Sequence, residues 1–234
     1  AVTNGCKGQI EWYDAASLSL VRTTDFNEGD TDNLRYDSQA KRLYVAYGEG
    51  AIGIIDIATG GKLTAIKLSK HPEAFQLEKS GHLIFANVPN DRNIAVIDRR
   101  DMSLVGKWPL DDTRNNYPMA LDETKRRLFV GCRKPARMLV FDIEKGKKIA
   151  ELECCGDADD IFFDAKSSRI YVIGGEGFIS IFNQLDADYY EPIDRVATLP
   201  GARTGLFVPD TRKLYVTAPA KDQQKAQILI FDVK

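Results

Sequence analysis

The chain has 234 residues, 44% hydrophobic and 28% charged, a balance that excludes a disordered or low-complexity protein. Its 32 basic and 34 acidic residues leave a net charge of −2, which supplies no field for drawing in nucleic acid or an anionic membrane surface. No apolar run reaches the ~20 residues of a membrane span, no signal peptide opens the chain, and four cysteines without a Cys-x-x-Cys spacing argue against a disulfide scaffold or a structural zinc site.

One pattern recurs in chain order: two hydrophobic residues and an acid or amide, followed by a turn. It occurs at Trp12-Tyr13-Asp14, Ile54-Ile55-Asp56, Val96-Ile97-Asp98, Val140-Phe141-Asp142, Ile181-Phe182-Asn183 and Ile230-Phe231-Asp232. The spacings are 42, 42, 44, 41 and 49 residues. A near-constant period of this size means one supersecondary unit copied along the chain. The copies run approximately over 1–28 (partial), 29–69, 70–112, 113–155, 156–200 and 201–234.

Each full copy divides into four short segments rich in Val, Ile, Leu, Phe and Tyr, separated by turn residues, and these predict strands. The leading partial copy offers strands at 9–13 and 18–23, with the tail of another at 2–4. The next copies place them at 33–36, 42–47, 52–57 and 63–68, then at 74–77, 82–87, 93–97 and 104–108, then at 119–121, 127–132, 138–143 and 148–152. The last two give 160–163, 169–173, 178–182 and 194–199, then 205–208, 213–217 and 227–233. The second and third segments are apolar at consecutive positions, as in Leu43-Tyr44-Val45 and Leu128-Phe129-Val130, which is the signature of a strand covered on both faces. No helical pattern is available to cover them, so the cover is another sheet of the same kind. Radially stacked four-stranded antiparallel sheets form a β-propeller. In the turns after the third segments, glycine takes positive φ and the aspartate accepts hydrogen bonds from turn amides, so their regular recurrence is structural.

The segment Lys213-Leu214-Tyr215-Val216-Thr217, the fragment Val2-Thr3-Asn4 and units such as Val96-Ile97-Asp98 resemble the YVTN-repeat β-propellers of bacteria and archaea. The resemblance covers the whole chain, although Tyr44-Val45-Ala46-Tyr47, Phe129-Val130-Gly131-Cys132 and Tyr171-Val172-Ile173-Gly174 depart from the signature. It implies an all-β propeller, commonly seven-bladed, exported to the periplasm or cell surface. It is distantly similar to haem d1, quinoprotein and lactonase propellers. The expectation is one propeller domain over 1–234 with five full repeats. Either 18–23 latches onto the last copy and closes five blades, or the chain is most of a seven-bladed propeller lacking its N-terminal blades.

Aligning the copies on their first strands gives a predicted ring at one channel mouth: Asp32, Glu73, Tyr117, Asp159 and Arg203. Two positions earlier stand Asp30, His71, Asn115, Asp157 and Gly201, and Asp160 follows Asp159. Converging carboxylates would bind Ca²⁺ or another divalent cation, or a cationic or polyol ligand. His71 with its acidic neighbours could hold a transition metal. The metal ligands expected are Asp159, Asp160 and Glu73; the solvated or salt-bridged alternative runs through Arg203. Cys132, Cys154 and Cys155 lie towards the same face, where small buried thiols are the commoner case. The basic run Lys125-Arg126-Arg127 with Arg133, Lys134 and Arg137 is read as solvated loop surface. His82 is aligned with Arg42 and Arg127 at the start of a strand, and Trp12 and Trp108 are expected to pack between blades.

No nucleophile elbow, P-loop, dinucleotide fingerprint or zinc-protease motif is present. The leading expectation is a non-enzymatic propeller that recognises a small ligand, an ion or a protein at its funnel face. The alternative is a metal-dependent lactonase-like hydrolase using the carboxylates at the channel mouth, and a third is a purely structural surface module.

Overall fold

A computed structural model of the chain describes every residue except 222. The described residues form two compact units, Ala1–Leu110 and Asp111–Lys234.

In the first unit, β1 (Val2–Asn4), β2 (Gln9–Tyr13) and β3 (Leu20–Asp25) make a three-stranded sheet. The second sheet is β4 (Leu34–Asp37), β5 (Arg42–Tyr47), β6 (Ala51–Asp56) and β7 (Lys62–Lys67). The third is β8 (Phe75–Leu77), β9 (Leu83–Val88), β10 (Asn93–Asp98) and β11 (Ser103–Pro109). The second unit opens with β12 (Arg114–Asp122), β13 (Arg127–Lys134), β14 (Ala136–Asp142) and β15 (Lys147–Glu153), and continues with β16 (Ala158–Asp164), β17 (Arg169–Gly174), β18 (Phe178–Gln184) and β19 (Tyr190–Ala197). It ends with the three-stranded sheet β20 (Thr204–Val208), β21 (Lys213–Ala218) and β22 (Gln227–Asp232). Among the described residues the strands pair antiparallel with their neighbours in sequence, and no helix is long and apolar enough to cross a membrane.

The middle strands are apolar on both faces because both faces meet a neighbouring sheet. In the first unit, Ile10, Trp12 and Phe26 pack on Leu43, Val45 and Ile55, while Tyr44, Ile52 and Ile54 pack on Phe75, Ile84 and Ile97. In the second, Phe129, Met138 and Val140 pack on Ile161, Ile170 and Phe182, and Tyr171, Ile173 and Ile179 on Phe207, Leu214 and Val216. First strands of successive sheets touch within each unit: β4 with β8, β12 with β16, β16 with β20. Fourth strands such as β7 and β15 are mostly exposed or half-buried and mix charged with apolar residues, which keeps an outer edge soluble. These are propeller blades. Trp12 seals the first junction: its indole donates to Thr24 Oγ1 at 3.0 Å, and Thr24 donates to Gly60 O of the next sheet.

The recurring hydrophobic-hydrophobic-acid step does two things in the structure. Its acid caps the following turn. Asp14 accepts from the Ala16 and Ser17 amides, Asp56 from Thr59, Asp98 from Arg100, and Asp142 from Glu144 and Lys145, all at 2.8–3.1 Å. Its two hydrophobic residues straddle a register shift against the next strand, between Trp12/Tyr13, Ile54/Ile55, Val96/Ile97, Val140/Phe141 and Ile181/Phe182. A bulge repeated at one place adds the same local twist to each blade.

The blade number corrects the sequence expectation. Among the described residues there are six blades, not five or seven. The segment expected as a latch, observed as β3, pairs with β2 and leaves β22 with β21 alone. A strand joins its nearest hairpin partner at little loop-closure cost, whereas pairing with β22 would close a loop of about 200 residues. With β1 added, the leading segment is a blade of its own. The register also moves one alignment: Leu83, not His82, faces Asp98 as Arg42 faces Asp56 and Arg127 faces Asp142.

The capped acids set the acid limit of stability. Hydrogen bonds from the Arg100 side chain hold Asp98 at about 2, against burial, which raises it. Asp142 and Asp164 are also lowered: burial pushes both up, and it is outweighed by turn amides and Arg127 at Asp142 and by the Ser167 hydroxyl, Arg212 and the Lys166 amide at Asp164. A carboxylate lowered on folding contributes stability above its unfolded value near 3.8, and that contribution is lost as pH falls towards the folded value. The melting temperature should therefore fall between about pH 4 and pH 2. Asp98→Asn should melt lower than the wild type at pH 7, with the gap narrowing across that window in a calorimetric pH series.

Candidate functional site

The sequence-aligned polar positions fall in both units. In the first, His71 Nδ1 lies 3.6 Å from Asp30 Oδ2 and 2.6 Å from Gly48 O. Asp32 accepts from Asn33 Nδ2, and the Glu73 amide donates to Asn87 O. In the second unit, Tyr117, Asp157, Asp159 and Arg203 converge with a residue that the alignment missed, Arg133.

Three consecutive blades build this cluster. Tyr117 sits in β12 and Arg133 towards the end of β13; Asp157 precedes β16 and Asp159 lies within it; Arg203 precedes β20. Arg133 Nη1 lies 3.1 Å from Asp157 Oδ1, its Nη2 bonds Asp159 Oδ1, and its Nε donates to Ala158 O at 2.9 Å. Its guanidinium carbon stands 4.0 Å from the Tyr117 ring centroid, in cation–π geometry. Arg203 closes the other side, with Nη1 2.8 Å from Asp157 Oδ2 and Nε 3.2 Å from Asp159 Oδ2. Each aspartate is thus bracketed by two arginines. Asp160 points to a different task and accepts from the Gly205 amide at 2.7 Å. Gly131 makes the close approach possible: a Cβ there would lie 2.7 Å from Pro118 Cγ, beside Tyr117.

Backbone conformation explains part of the aligned pattern. Asp30, Asn115, Asp157 and Gly201 have φ of 48°, 60°, 54° and 83°. Ahead of β4, β16 and β20, and at the start of β12, the backbone enters the left-handed region, where Asp, Asn and Gly are the tolerated residues. The second ring of the alignment is therefore largely corner chemistry, and His71 is its exception.

The cluster is partly open to solvent. Arg133 is 19% exposed and Arg203 45%. The Asp157 hydrogen bond raises the already high pKa of Arg203, so its charge is permanent. Beside Arg203 runs a cleft of about 760 Å³ lined by Thr204, Thr217, Pro219, Gln227 and Ile228. Among the described residues, no group of three His, Cys, Asp or Glu side chains could hold a metal ion. Of the expected ligands, Asp159 meets both arginines and Asp160 accepts from a backbone amide.

Other sequence candidates have structural duties. Cys132 and Cys155 are buried and Cys154 half-buried, and the structure gives all four thiols as free. Burial pushes Cys132 up to about 11 and raises Cys154 and Cys155 too, which disfavours thiolate chemistry. The basic run is only partly solvated: Arg127 is buried, 2.7 Å from Asp188 and 3.4 Å from Asp142, and Arg137 meets Glu151 and Glu153.

Neither a known protein family nor a curated protein matches the chain in sequence. Its fold is similar to solved structures. One is a chain in the crystal structure of the Mitotic Checkpoint Complex, at 15% identity and TM-score 0.79, covering 91% of this chain and 66% of that one. Another is the beta-propeller domain of Myceliophteria thermophila Cps50 (Swd1), at 12% identity and TM-score 0.79, covering 97% of this chain and 77% of that one. The chain thus spans just under two thirds of the first. At these identities the likeness is one of fold, and the fold is the β-propeller.

Proposed function

We propose that the protein is a non-enzymatic binding propeller that recognises a protein partner through the surface of Tyr117, Arg133, Asp157, Asp159 and Arg203. The carrying observation is the double bracket of two aspartates by two arginines, half open to solvent and next to a cleft. Such a cluster is charge-balanced and preorganised. It presents the half-exposed Arg203 side chain beside Tyr117 and Arg133, and arginine and tyrosine are residue types that anchor protein interfaces. One of the similar solved structures is a chain of the Mitotic Checkpoint Complex, which accords with this reading. The finer reading keeps the YVTN-repeat resemblance and with it an exported location.

The test is affinity capture from extracts and secreted fractions of the source organism, with wild type and Arg133→Ala/Arg203→Ala side by side. A partner should be retained by the wild type, confirmed with the purified partner, and lost by the double variant at unchanged circular dichroism. Equal retention by both would overturn the assignment. Hydrolysis at a divalent ion held by Asp159 and Asp160 is the competing reading. It predicts lactonase activity that a chelator removes.

A further inference from the structure

A polar groove of about 350 Å³ lies between the second and third blades, at the ends of their first strands β4 and β8. Arg35 and Asp37 line it from β4, Gln76, Glu78 and Lys79 from β8 and the turn that follows, and Arg99 from the turn after β10. It shares no residue with the arginine–aspartate cluster.

The repeat separates what the fold needs here from what is local to the groove. Arg35 pairs with Tyr44 on the second strand of its blade, and Gln76 with Phe85. The matching residues of the three following blades are Ala120 opposite Phe129, Phe162 opposite Tyr171 and Leu206 opposite Tyr215. This position is polar in the two strands that line the groove and apolar in the other three. Arg99 departs in the same way. Its backbone amide donates to His82 O, and the equivalent donors of four other blades, Ile57, Ile143, Gln184 and Val233, are uncharged. Where a copy breaks the rule that its sister copies keep, the fold does not require the change, and function is the place to look for its cause.

The charges of the groove sum to an excess of one cation, since Arg35, Lys79 and Arg99 stand against Asp37 and Glu78. Both carboxylates are engaged within the protein. Asp37 accepts from the Gln39 and Ala40 amides at 3.0 Å and from Arg99 at 2.6 Å, and the buried Glu78 accepts from the Leu83 amide at 3.0 Å. Arg99 gives four of its five N–H groups to Asp37 and to the Glu78, Gly81 and His82 carbonyls, so one Nη1 hydrogen has no acceptor among the described residues. We propose that this groove binds a small organic oxyanion, a molecule carrying a carboxylate or phosphate group. Arg35, Lys79 and the remaining Arg99 hydrogen supply charge-assisted donors to the oxyanion, and the Gln76 side-chain amide meets the polar groups beside it. The volume suits a small ligand.

The probes are succinate and inorganic phosphate, titrated into the full chain with butanediol as the neutral control and sodium chloride holding the ionic strength. Thermal unfolding should show a saturable rise with at least one anion and none with butanediol. A response to succinate alone marks a carboxylate ligand, and a response to phosphate alone a phosphorylated one. Amide chemical shifts should move around Arg35, Gln76 and Arg99. Arg35→Ala gives this blade the residue that the fourth blade uses, and it should weaken the binding about tenfold. Gln76→Ala, which leaves every charge in place, is the second variant if the first does not fold, and it too should bind more weakly. No saturable response to either anion at tens of millimolar, wild-type affinity in both variants, or shifts confined to other blades would overturn the proposal.

Discussion

Replacing Phe129 by alanine destabilises the second unit by about 3–5 kcal/mol, the range for removing a fully buried phenylalanine. Phe129 is wholly buried in β13, at the centre of the packing between the fourth and fifth blades. Its ring centroid lies 5.4 Å from that of Phe163 and 5.8 Å from that of Tyr190, the second contact edge-on. Alanine would forfeit the buried apolar area and both aromatic contacts, and the β strands around the void are hydrogen-bonded on both sides and cannot collapse into it. Calorimetry should show the melting temperature lowered by roughly 10 °C. Phe129→Leu should recover most of the loss, because its volume is closer. A change below about 1 kcal/mol would mean that the two blades do not pack through this ring.

Arg99→Ala should cost the first unit about 3–5 kcal/mol, because it removes the donor shared by a largely buried carboxylate and the Glu78 and Gly81 carbonyls, while His82 O keeps the Arg99 backbone amide. The Arg99 side chain is 13% exposed and bridges two blades. It donates to Asp37 Oδ2 at 2.6 Å, and to Glu78 O, Gly81 O and His82 O. Arg99→Lys keeps the charge but loses the planar fork that reaches several acceptors at once, so it should lie between alanine and wild type. Arg99→Ala/Asp37→Ala should cost less than the two single changes summed, since the double variant leaves no orphaned carboxylate. Chemical denaturation of the four proteins gives the coupling directly.

The strands were legible because their signal is short-range. Consecutive apolar residues in Leu43-Tyr44-Val45 and Leu128-Phe129-Val130 announce strands with two covered faces, and the structure buries them on both. The capping role of Asp14, Asp56, Asp98 and Asp142 followed from residue type and turn position, and their amide hydrogen bonds carry it out. The blade number was not legible, because it depended on whether β3 pairs with β2 or with β22. Both partners present apolar edges, and local pattern cannot weigh loop closure against a distant strand. The cluster was half legible. Alignment on the first strands found Tyr117, Asp157, Asp159 and Arg203, which share one structural position or its neighbour. Arg133 was placed among solvated basic residues because it sits on a second strand, at a position that other copies fill differently. The available signal was its charge: an arginine near a strand end, one blade away from an aspartate in each of the two aligned rings.

The proposed function makes Asp157 and Asp159 partners of the two arginines in a recognition surface rather than ligands of a cation. Thermal unfolding in a millimolar CaCl₂ series tests it most directly, since an ion bound only by the folded protein raises the melting temperature with concentration. With sodium chloride matching the ionic strength, the wild-type melting temperature should not change. A saturable rise that Asp159→Asn abolishes would contradict the claim and turn the cluster into a calcium site.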